Sequence, residues 1–225
     1  MPSSVPVVVA CAGLGSRLGR NLPKALVEVK GQSLISRLLT GALRSFEDIR
    51  IVVGYREADV MAHARAVRDD LIFVRNPNFQ STTVADSFAM AVNDVEGPCL
   101  IVDGDMLVDE ADFLAFTEAC ADGRPLIGVT PSRSEQAVFV DLTPGAQRYV
   151  VGFRREPAAS HEWCGIALVE RGMFATRRTF VYECLERHLP MRAFEVDVAE
   201  IDTPADFEGA ARWLEARSER AVKVA

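Results

Sequence analysis

Two glycines and two basic residues stand close together near the amino terminus. Residues 12–24 read AGLGSRLGRNLPK and follow an apolar run, so Gly13 and Gly15 come first, then Arg17, and then Lys24. Glycines let the backbone approach an anion closely and direct its N–H groups toward it. Arginine offers a two-pronged donor, and lysine offers a compact charge on a flexible stem. This combination indicates a phosphate-binding loop, with a surface loop of incidental basic residues as the alternative.

The spacing of this loop differs from that of two common phosphate-binding designs. A P-loop requires GxxxxGK[ST], which the sequence lacks. A dinucleotide-binding turn requires GxGxxG at the start of a crossover helix, but Leu18 stands in the third glycine position. Pro23 follows soon after Gly15 and would interrupt such a helix. We therefore expect residues 12–24 to form a long ordered loop, and loops of that length in compact domains are usually functional.

Two aspartates follow an apolar run in the middle of the chain. Asp103 and Asp105 come directly after CLIV at 99–102, and residues two apart in an extended segment project to the same side. Ligands of open α/β sheets bind at the carboxyl ends of the strands. Carboxylates are the hard oxygen ligands that Mg²⁺ prefers. Asp103 and Asp105 are therefore candidates for a metal site.

Apolar runs alternate with amphipathic patterns through the first 131 residues. Near-continuous apolar strands that alternate with helices predict a parallel sheet covered by helices on both faces. Ser33 is a candidate N-cap of the first helix. We expect strands at 5–11, 49–55, 71–76, 99–105 and 126–131, and helices over 33–46, 57–69, 83–94 and 109–122.

The pattern changes after residue 131. Strand-like runs follow one another with turn residues but no helical pattern between them, which indicates a β-rich extension beside the first half. These runs cover 137–143, 148–155 and 163–169.

A helix near 173–188 and a last helix complete the expected elements. Thr203 is the candidate N-cap of the last helix, Pro204 occupies its first position, and Asp206 lies in its first turn. Since no linker, repeat or low-complexity segment interrupts the sequence, we expect a single domain over residues 1–225.

The composition excludes several classes of protein. A formal net charge of −7, with both signs evenly mixed, argues against a nucleic-acid-binding surface. No run approaches the roughly 18 apolar residues of a membrane span, and the amino terminus lacks the basic start of a signal peptide. The five cysteines are scattered and form no CxxC pair. We expect reduced, mostly buried thiols and a cytoplasmic location, and a homodimer is compatible with the sequence.

Several motifs, taken together, resemble one enzyme family. Residues 12–24 resemble the signature AGxGxRxxxxxPK of nucleotidyltransferases with a glycosyltransferase-A-like fold. The further matches follow in the order expected for that family: PKALVEV at 23–29, GQSLI at 31–35, VVGY at 52–55, VDGD at 102–105 and EIDTPADF at 200–207.

The resemblance implies a fold and a division of labour along the chain. The expected fold is α/β: a Rossmann-like three-layer α/β/α arrangement with a mostly parallel mixed sheet and a small β-rich acceptor-side extension. Residues 1–131 would form the nucleotide-binding half, and residues 132–225 the acceptor-binding half with the C-terminal helix. Within the family, the run at 76–91 is most similar to that of phosphocholine-type cytidylyltransferases.

The resemblance also implies a reaction and roles for individual residues. An acceptor phosphate or phosphonate oxygen attacks the α-phosphorus of a nucleoside triphosphate, and pyrophosphate leaves. Arg17 would stabilise the leaving pyrophosphate, and Lys24 would act at the α-phosphate and acceptor. Mg²⁺ would be the cofactor, with Asp105 and Asp202 as its ligands and Asp103 as a companion that contacts metal or nucleotide. The triphosphate would be held by the loop residues Ala12, Gly13, Leu14, Gly15 and Ser16.

The base site is expected in the segment from 76 to 91. Cytidylyltransferases of this fold place a serine against the pyrimidine at the start of the corresponding helix, and Ser87 occupies that position. Asn76, Thr82 and Thr83 are further candidates for contact with the base. The resemblance therefore favours CTP, although a small residue that packs on the helix face is an alternative role for Ser87.

The acceptor site is marked less strongly. The segment 161–169 is similar to the family's E-x-x-G-I stretch, in which Glu162 and Trp163 could meet a cationic head group. Tyr182 is a further candidate, with Phe153 and Tyr149 nearby in sequence. Many relatives carry a lysine before this segment, where this chain has Arg154 and Arg155. Trp163 as a plain core residue is the alternative.

The leading hypothesis from the sequence is a Mg²⁺-dependent nucleotidyltransferase that transfers CMP from CTP. Its acceptor would be a small phosphorylated or phosphonylated alcohol or amine, such as phosphocholine or 2-aminoethylphosphonate. The alternatives are a sugar-1-phosphate nucleotidyltransferase, a molybdopterin nucleotidyltransferase, and a nucleotide-binding regulatory protein without turnover.

Overall fold

A twisted sheet forms the centre of the protein in the computed structural model, which describes residues 5–15, 21–133, 137–174 and 179–224. The strands are β1 (Val7–Cys11), β2 (Glu28–Val29), β3 (Gln32–Ser33), β4 (Ile49–Val53), β5 (Ile72–Arg75), β6 (Cys99–Asp103), β7 (Met106–Val108), β8 (Leu126–Pro131), β9 (Phe139–Leu142), β10 (Tyr149–Arg154), β11 (His161–Val169), β12 (Met191–Glu195) and β13 (Val198–Glu200). The helices are α1 (Leu34–Thr40), α2 (Glu57–Val67), α3 (Val84–Val92), α4 (Glu110–Ala119), α5 (Val181–Glu186) and α6 (Pro204–Val224).

Within these ranges the large sheet has the strand order β5-β4-β1-β6-β11-β8-β12-β10-β9. β5, β4, β1 and β6 are parallel neighbours, and β11 is antiparallel to both β6 and β8. β12 is parallel to β8, whereas β10 is antiparallel to β12 and to β9. Thus β10 and β11 run against the other strands, which confirms the predicted mostly parallel mixed sheet.

The sheet curls at its far end. β9 pairs with β11 through Phe139 and Glu162, so β11, β8, β12, β10 and β9 form a closed circuit of pairings. β10 and β11 each contain a register shift, between Val150 and Gly152 and between Trp163 and Ala167. Such irregularities increase the twist and bend a strand. This circuit is the predicted β-rich extension.

Helices cover both faces of the sheet, as predicted. Alternate residues of β1 point to opposite faces: Val7 and Val9 pack with α1, α2 and α4, and Val8 packs with α3 and α5. A third, smaller cluster joins α6 to β2 and β7 through Val29, Leu107 and other apolar residues. No helix in the described ranges combines the length and the apolar character that a membrane span requires.

Two predicted helices are much shorter in the structure than in the prediction. The first was expected over 33–46, but α1 ends at Gly41, whose backbone leaves the helical region with ψ of −103°, and turns follow. The helix expected near 173–188 is α5, Val181–Glu186, and part of the predicted range, 175–178, lies outside the described residues. The two predicted caps are confirmed: the side chain of Ser33 accepts a hydrogen bond from Ser36 N, and that of Thr203 accepts one from Asp206 N.

Candidate active site

The ends of four parallel strands meet at one edge of the sheet. The backbone N–H of Tyr55, after β4, donates to the carbonyl of Ala12, after β1, at 3.1 Å. Gly104 N, after β6, donates to the carbonyl of Ala10 in β1, and Asn76 N, after β5, donates to that of Val53 in β4. All four strands run in the same direction, so their carboxyl ends lie at the same edge of the sheet. The residues that were predicted to bind or react follow these ends and therefore lie at this edge.

The glycine loop follows β1, and its two glycines have different surroundings. Gly15 has a φ of +60°, and a Cβ there would lie 2.7 Å from Lys24 Cγ, so the packing of Lys24 requires a glycine. Gly13 is exposed, and a Cβ there would meet no described atom within 4 Å. Leu14 is also exposed. Ser16 and Arg17 lie outside the described residues.

Three carboxylates form a cluster beside this loop. One oxygen from each of Asp105, Glu200 and Asp202 lies within 4.8 Å of the others. A two-stranded sheet brings them together, because β7 follows Asp105, β13 precedes Asp202, and Glu200 pairs with Met106. The Ile201 N–H also donates to the carbonyl of Asp105 at 3.0 Å. Three carboxylates are the hard donor set that suits Mg²⁺, so these residues fit the metal that the resemblance implies.

Lys24 points into this cluster. A short 3₁₀ turn over Lys24–Leu26 follows Pro23 and is anchored by the buried side chains of Ala25 and Leu26. The Lys24 ammonium donates to Asp105 Oδ2 at 2.9 Å and also to Asp202 Oδ1. Burial by itself lowers the pKa of Lys24, but the two carboxylates outweigh it and hold that pKa above its usual range. Lys24 is therefore a charged, mostly buried cation between two of the candidate metal ligands.

Asp103 lies apart from the cluster. A Cβ added at Gly165 in β11 would meet Asp103 Oδ2 at 2.8 Å, so the carboxylate of Asp103 rests against that strand. Burial raises the pKa of Asp103 well above its usual value, and the nearby charges of Asp105 and Glu200 raise it further. Asp103 is therefore more easily protonated than an ordinary aspartate, and its carboxylate lies outside the cluster of candidate metal ligands.

The candidate base residues form one hydrogen-bonded group. Asn76 is buried, and its Nδ2 donates at 2.9 Å both to Thr82 Oγ1 and to Ser87 Oγ. Thr83 caps α3 through a capping box with Asp86. The structure thus brings Asn76, Thr82 and Ser87 together at the end of β5. Ser87 is itself buried in this arrangement.

The candidate acceptor residues lie around β9, β10 and β11. Arg154 and Glu162 both pair with Phe139, one from each neighbouring strand. Arg154 forms an ion pair with Asp141 at 2.7 Å, and Trp163 is half-buried against the core cluster of that face.

An aromatic group lies beside these strands. Tyr182 contacts Phe153 at 6.0 Å and stacks on Phe180 at 5.6 Å between ring centroids, and the guanidinium of Arg155 lies over the Tyr182 ring. The Tyr182 ring thus attracts a cation that the protein itself supplies.

The histidines stand apart from the carboxylate cluster. His63 contacts the hydroxyls of Ser33 and Ser36, and His161 contacts Glu195. The first contact joins α2 to the start of α1, and the second joins β11 to β12.

The sequence reasoning missed Glu200. A signal for it exists, because Glu200 and Asp202 stand two apart in an extended segment and can face the same side. The motif drew attention to Asp202 alone, and the pairing of β13 with β7 is what directs Glu200 toward Asp105.

Comparison with known proteins identifies the family. Residues 7–189 match the profile of the MobA-like NTP transferase domain. The chain belongs to this family. The predicted resemblance to nucleotidyltransferases is therefore confirmed, over most of the described sheet and its helices.

Curated relatives of the family match parts of the chain. The chain is 41% identical over 76 residues to 2-C-methyl-D-erythritol 4-phosphate cytidylyltransferase of Corynebacterium jeikeium, and this match covers 33% of this chain and 26% of that protein. It is 24% identical over 172 residues to the bifunctional protein GlmU of Chromobacterium violaceum, and this match covers 76% of this chain and 37% of that protein. The chain thus spans well under half the length of these relatives, and 25% of GlmU from Methanococcus aeolicus.

Solved structures share the whole fold. The CTP:phosphocholine cytidylyltransferase LicC of Streptococcus pneumoniae superposes with a TM-score of 0.77 at 18% identity, over 93% of this chain and 99% of that one. The UTP-bound UGPase of Acinetobacter baumannii superposes with a TM-score of 0.76 at 14% identity, over 93% of each chain. At these identities the likeness shows the fold alone, and it confirms the predicted Rossmann-like α/β class.

Proposed function

We propose that this protein is a Mg²⁺-dependent nucleotidyltransferase that transfers CMP from CTP to a small phosphorylated or phosphonylated alcohol or amine, with release of pyrophosphate. The observation that carries the proposal is the contact of Lys24 with Asp105 and Asp202 beside the glycine loop. The lysine and the carboxylate cluster supply the charges that phosphoryl chemistry needs, and the exposed glycine offers backbone N–H groups at the same edge of the sheet. Membership of the NTP transferase family supports the same reaction.

The reaction needs positioning and charge rather than a covalent intermediate. An oxygen of the acceptor phosphate forms a bond to the α-phosphorus, the bond from that phosphorus to the bridging oxygen breaks, and pyrophosphate leaves with the electron pair. Mg²⁺ held by Asp105, Glu200 and Asp202 would supply positive charge beside the phosphates. Gly13 and its neighbours would hold the triphosphate through backbone N–H groups, and Lys24 would stabilise the charge at the α-phosphate.

The hydrogen-bond directions around Asn76 support cytosine over uracil. Asn78 N donates to Asn76 Oδ1 at 3.0 Å, which fixes the amide so that its NH₂ donates to both hydroxyls. The Thr82 hydroxyl then donates to the carbonyl of Asn78 at 2.9 Å, and the Ser87 hydroxyl to that of Thr83 at 3.3 Å. Both protons are used within the protein, so each hydroxyl can offer a base only a lone pair. At position 4 of the ring, the amino group of cytosine can donate to such a lone pair, whereas the carbonyl O4 of uracil can only accept.

A phosphocholine or 2-aminoethylphosphonate type of acceptor is supported by the aromatic and acidic residues near β11. Trp163, Tyr182 and Glu162 could bind a cationic head group, while Arg154 could assist its phosphate. The ion pair of Arg154 with Asp141 leaves less of its charge for that task. The similarity to LicC and to the methylerythritol-phosphate cytidylyltransferase favours CTP as the nucleotide donor and a small phosphorylated molecule as the acceptor.

A sugar-1-phosphate nucleotidyltransferase is the second candidate. The similarity to GlmU and to UGPase favours it, because both relatives share the same catalytic fold.

The five cysteines are all free and buried, which supports the proposed cytoplasmic location for either activity.

The function can be tested by measuring pyrophosphate. The protein would be incubated with Mg²⁺, each of CTP, UTP, ATP and GTP, and phosphocholine, 2-aminoethylphosphonate or glucose 1-phosphate. We expect release with CTP and an amino-alcohol phosphate or phosphonate. The variant Lys24→Gln should lose activity by orders of magnitude, whereas Lys30→Gln, which removes an exposed lysine paired with Glu215, should keep it.

Other outcomes would replace the proposal. Release with glucose 1-phosphate alone would favour the sugar enzyme. Tight binding of a triphosphate without release for any pair would favour a regulatory nucleotide-binding protein. A molybdopterin nucleotidyltransferase would release pyrophosphate with a molybdopterin acceptor and with none of the small phosphates.

A further inference from the structure

The structure and the proposed reaction give the Lys24 ammonium two different positions, which it cannot occupy at the same time. In the structure its ammonium lies between Asp105 and Asp202, where it neutralises two of the three clustered carboxylates. In the proposed reaction the same carboxylates hold a divalent cation, and Lys24 acts at the α-phosphate. An ammonium and a divalent cation repel each other at such short range. Lys24 must therefore release the cluster before a divalent cation can bind there.

We propose that Lys24 is a built-in counter-ion of the metal site, which exchanges its carboxylates for the phosphates when the metal and the triphosphate bind together. This inference rests on the proposed function and assigns Glu200 to the same metal site as Asp105 and Asp202. Its consequence is that a divalent cation binds weakly to the protein alone and tightly in the presence of a triphosphate.

The structure allows this exchange as a movement of one side chain. The backbone of Lys24 is held by the 3₁₀ turn and by the buried side chains of Ala25 and Leu26, so it can stay in place. The stem of Lys24 passes Gly15, where the missing Cβ leaves the room that the stem occupies. Lysine carries its charge on four flexible methylene groups, which gives the ammonium the reach to turn from the cluster toward the glycine loop.

The charges make the exchange favourable only when both ligands are present. Without a cation, Asp105, Glu200 and Asp202 would repel one another, and Lys24 relieves that repulsion. A divalent cation that displaces Lys24 would leave an ammonium without a partner in a mostly buried site, which is costly. The triphosphate provides the new anionic partner. The two ligands therefore help each other to bind, and by linkage the effect is reciprocal.

The inference can be tested by titrating the protein with Mn²⁺ alone and following the free ion by electron paramagnetic resonance. We expect Lys24→Gln to bind Mn²⁺ about tenfold more tightly than the unmodified protein does, since the competing charge is gone. Lys30→Gln, the matched surface control, should bind Mn²⁺ like the unmodified protein. Adding Glu200→Gln or Asp202→Asn to Lys24→Gln should reverse the gain. With CTP present, and after subtraction of the Mn²⁺ that the same CTP binds without protein, the unmodified protein should bind Mn²⁺ tightly, and Lys24→Gln should gain little from CTP.

Equal Mn²⁺ affinity of Lys24→Gln and the unmodified protein would overturn the inference, as would no measurable binding to Lys24→Gln. Lys24→Met, measured by circular dichroism with and without Mn²⁺, shows whether the fold is retained: Mn²⁺ should raise its melting temperature more than that of the unmodified protein. The pyrophosphate assay is independent of this titration. If the unmodified protein released no pyrophosphate with any pair while Lys24→Gln bound Mn²⁺ more tightly, the proposed function would be refuted and the counter-ion role would stand.

Discussion

Replacing Gly165 by alanine should destabilise the protein and displace Asp103. Gly165 has a φ of +77°, in the left-handed region that favours glycine, and lies in β11 beside the end of β6. A Cβ there would lie 2.5 Å from Met106 Cε, 2.8 Å from Asp103 Oδ2 and 3.2 Å from Asp103 Cβ. Met106 Cε is the end of a flexible chain and can move. Asp103 ends a central strand and has little freedom to do so.

The expected loss of unfolding free energy in Gly165→Ala has two parts. A non-glycine residue in the left-handed region costs about 1–2 kcal/mol, and crowding in a packed site adds about 1–3 kcal/mol. Gly97→Ala is the matched control, because Gly97 has a φ of +81° and a Cβ there would meet no described atom within 4 Å. It should show the backbone cost alone. In a domain of this size each kcal/mol lowers the melting temperature by about 2–4 °C.

The assay is thermal unfolding followed by circular dichroism, together with pyrophosphate release. We expect Gly97→Ala to melt about 2–8 °C below the unmodified protein, and Gly165→Ala to melt lower still by about 2–12 °C. Gly165→Ala should also lose activity while Gly97→Ala keeps it. If the two variants melt at the same temperature and are equally active, the argument that Gly165 makes room for Asp103 is refuted.

Three further predictions concern the loop, the base site and an ion pair. Gly13→Ala should keep the melting temperature of the unmodified protein, because a Cβ there meets no described atom within 4 Å. The variant should bind CTP more weakly in a fluorescence titration. A lowered melting temperature would contradict the open space at Gly13. Ser87→Ala leaves an N–H of Asn76 without its acceptor, so urea unfolding should show a loss of about 1–3 kcal/mol, and no loss would mean that the amide finds another partner. The hydrogen bond from Arg148 lowers the pKa of Glu195 below 4.5, so the pair stabilises the fold above that pH and the stabilisation disappears as the pH falls through the lowered pKa. The difference in unfolding free energy between Glu195→Gln and the unmodified protein should therefore shrink in acid, and a constant difference would speak against the ion pair.

The sequence predicted the central strands well because their signal is local. The runs around Val7–Cys11, Ile49–Val53 and Cys99–Asp103 are apolar and β-branched, and the structure places strands in each. The capped starts of α1 and α6 were also predictable, since Ser33 and Thr203 satisfy backbone groups within one turn.

The end of α1 was less predictable. The apolar spacing continues through Phe46, but the chain leaves the helix at Gly41, where a Cβ would lie 2.5 Å from the Glu110 side chain of α4. That close approach belongs to the packing of two elements far apart in sequence. Periodicity alone carries no information about it.

The loop chemistry, the α/β class and the family were determined by the sequence itself, because they depend on residue types and short spacings between Gly13 and Lys24 and around Asp105 and Asp202. The tertiary structure alone decided three things. It added Glu200 to the carboxylate cluster, placed Asp103 outside that cluster against Gly165, and placed the Lys24 ammonium between Asp105 and Asp202. Each of these depends on strands that are distant in the chain, such as β7 with β13 and β6 with β11, which meet only when the sheet forms. A charge pattern in a sequence identifies which groups can react, and the pairing of distant strands determines which of them share a site.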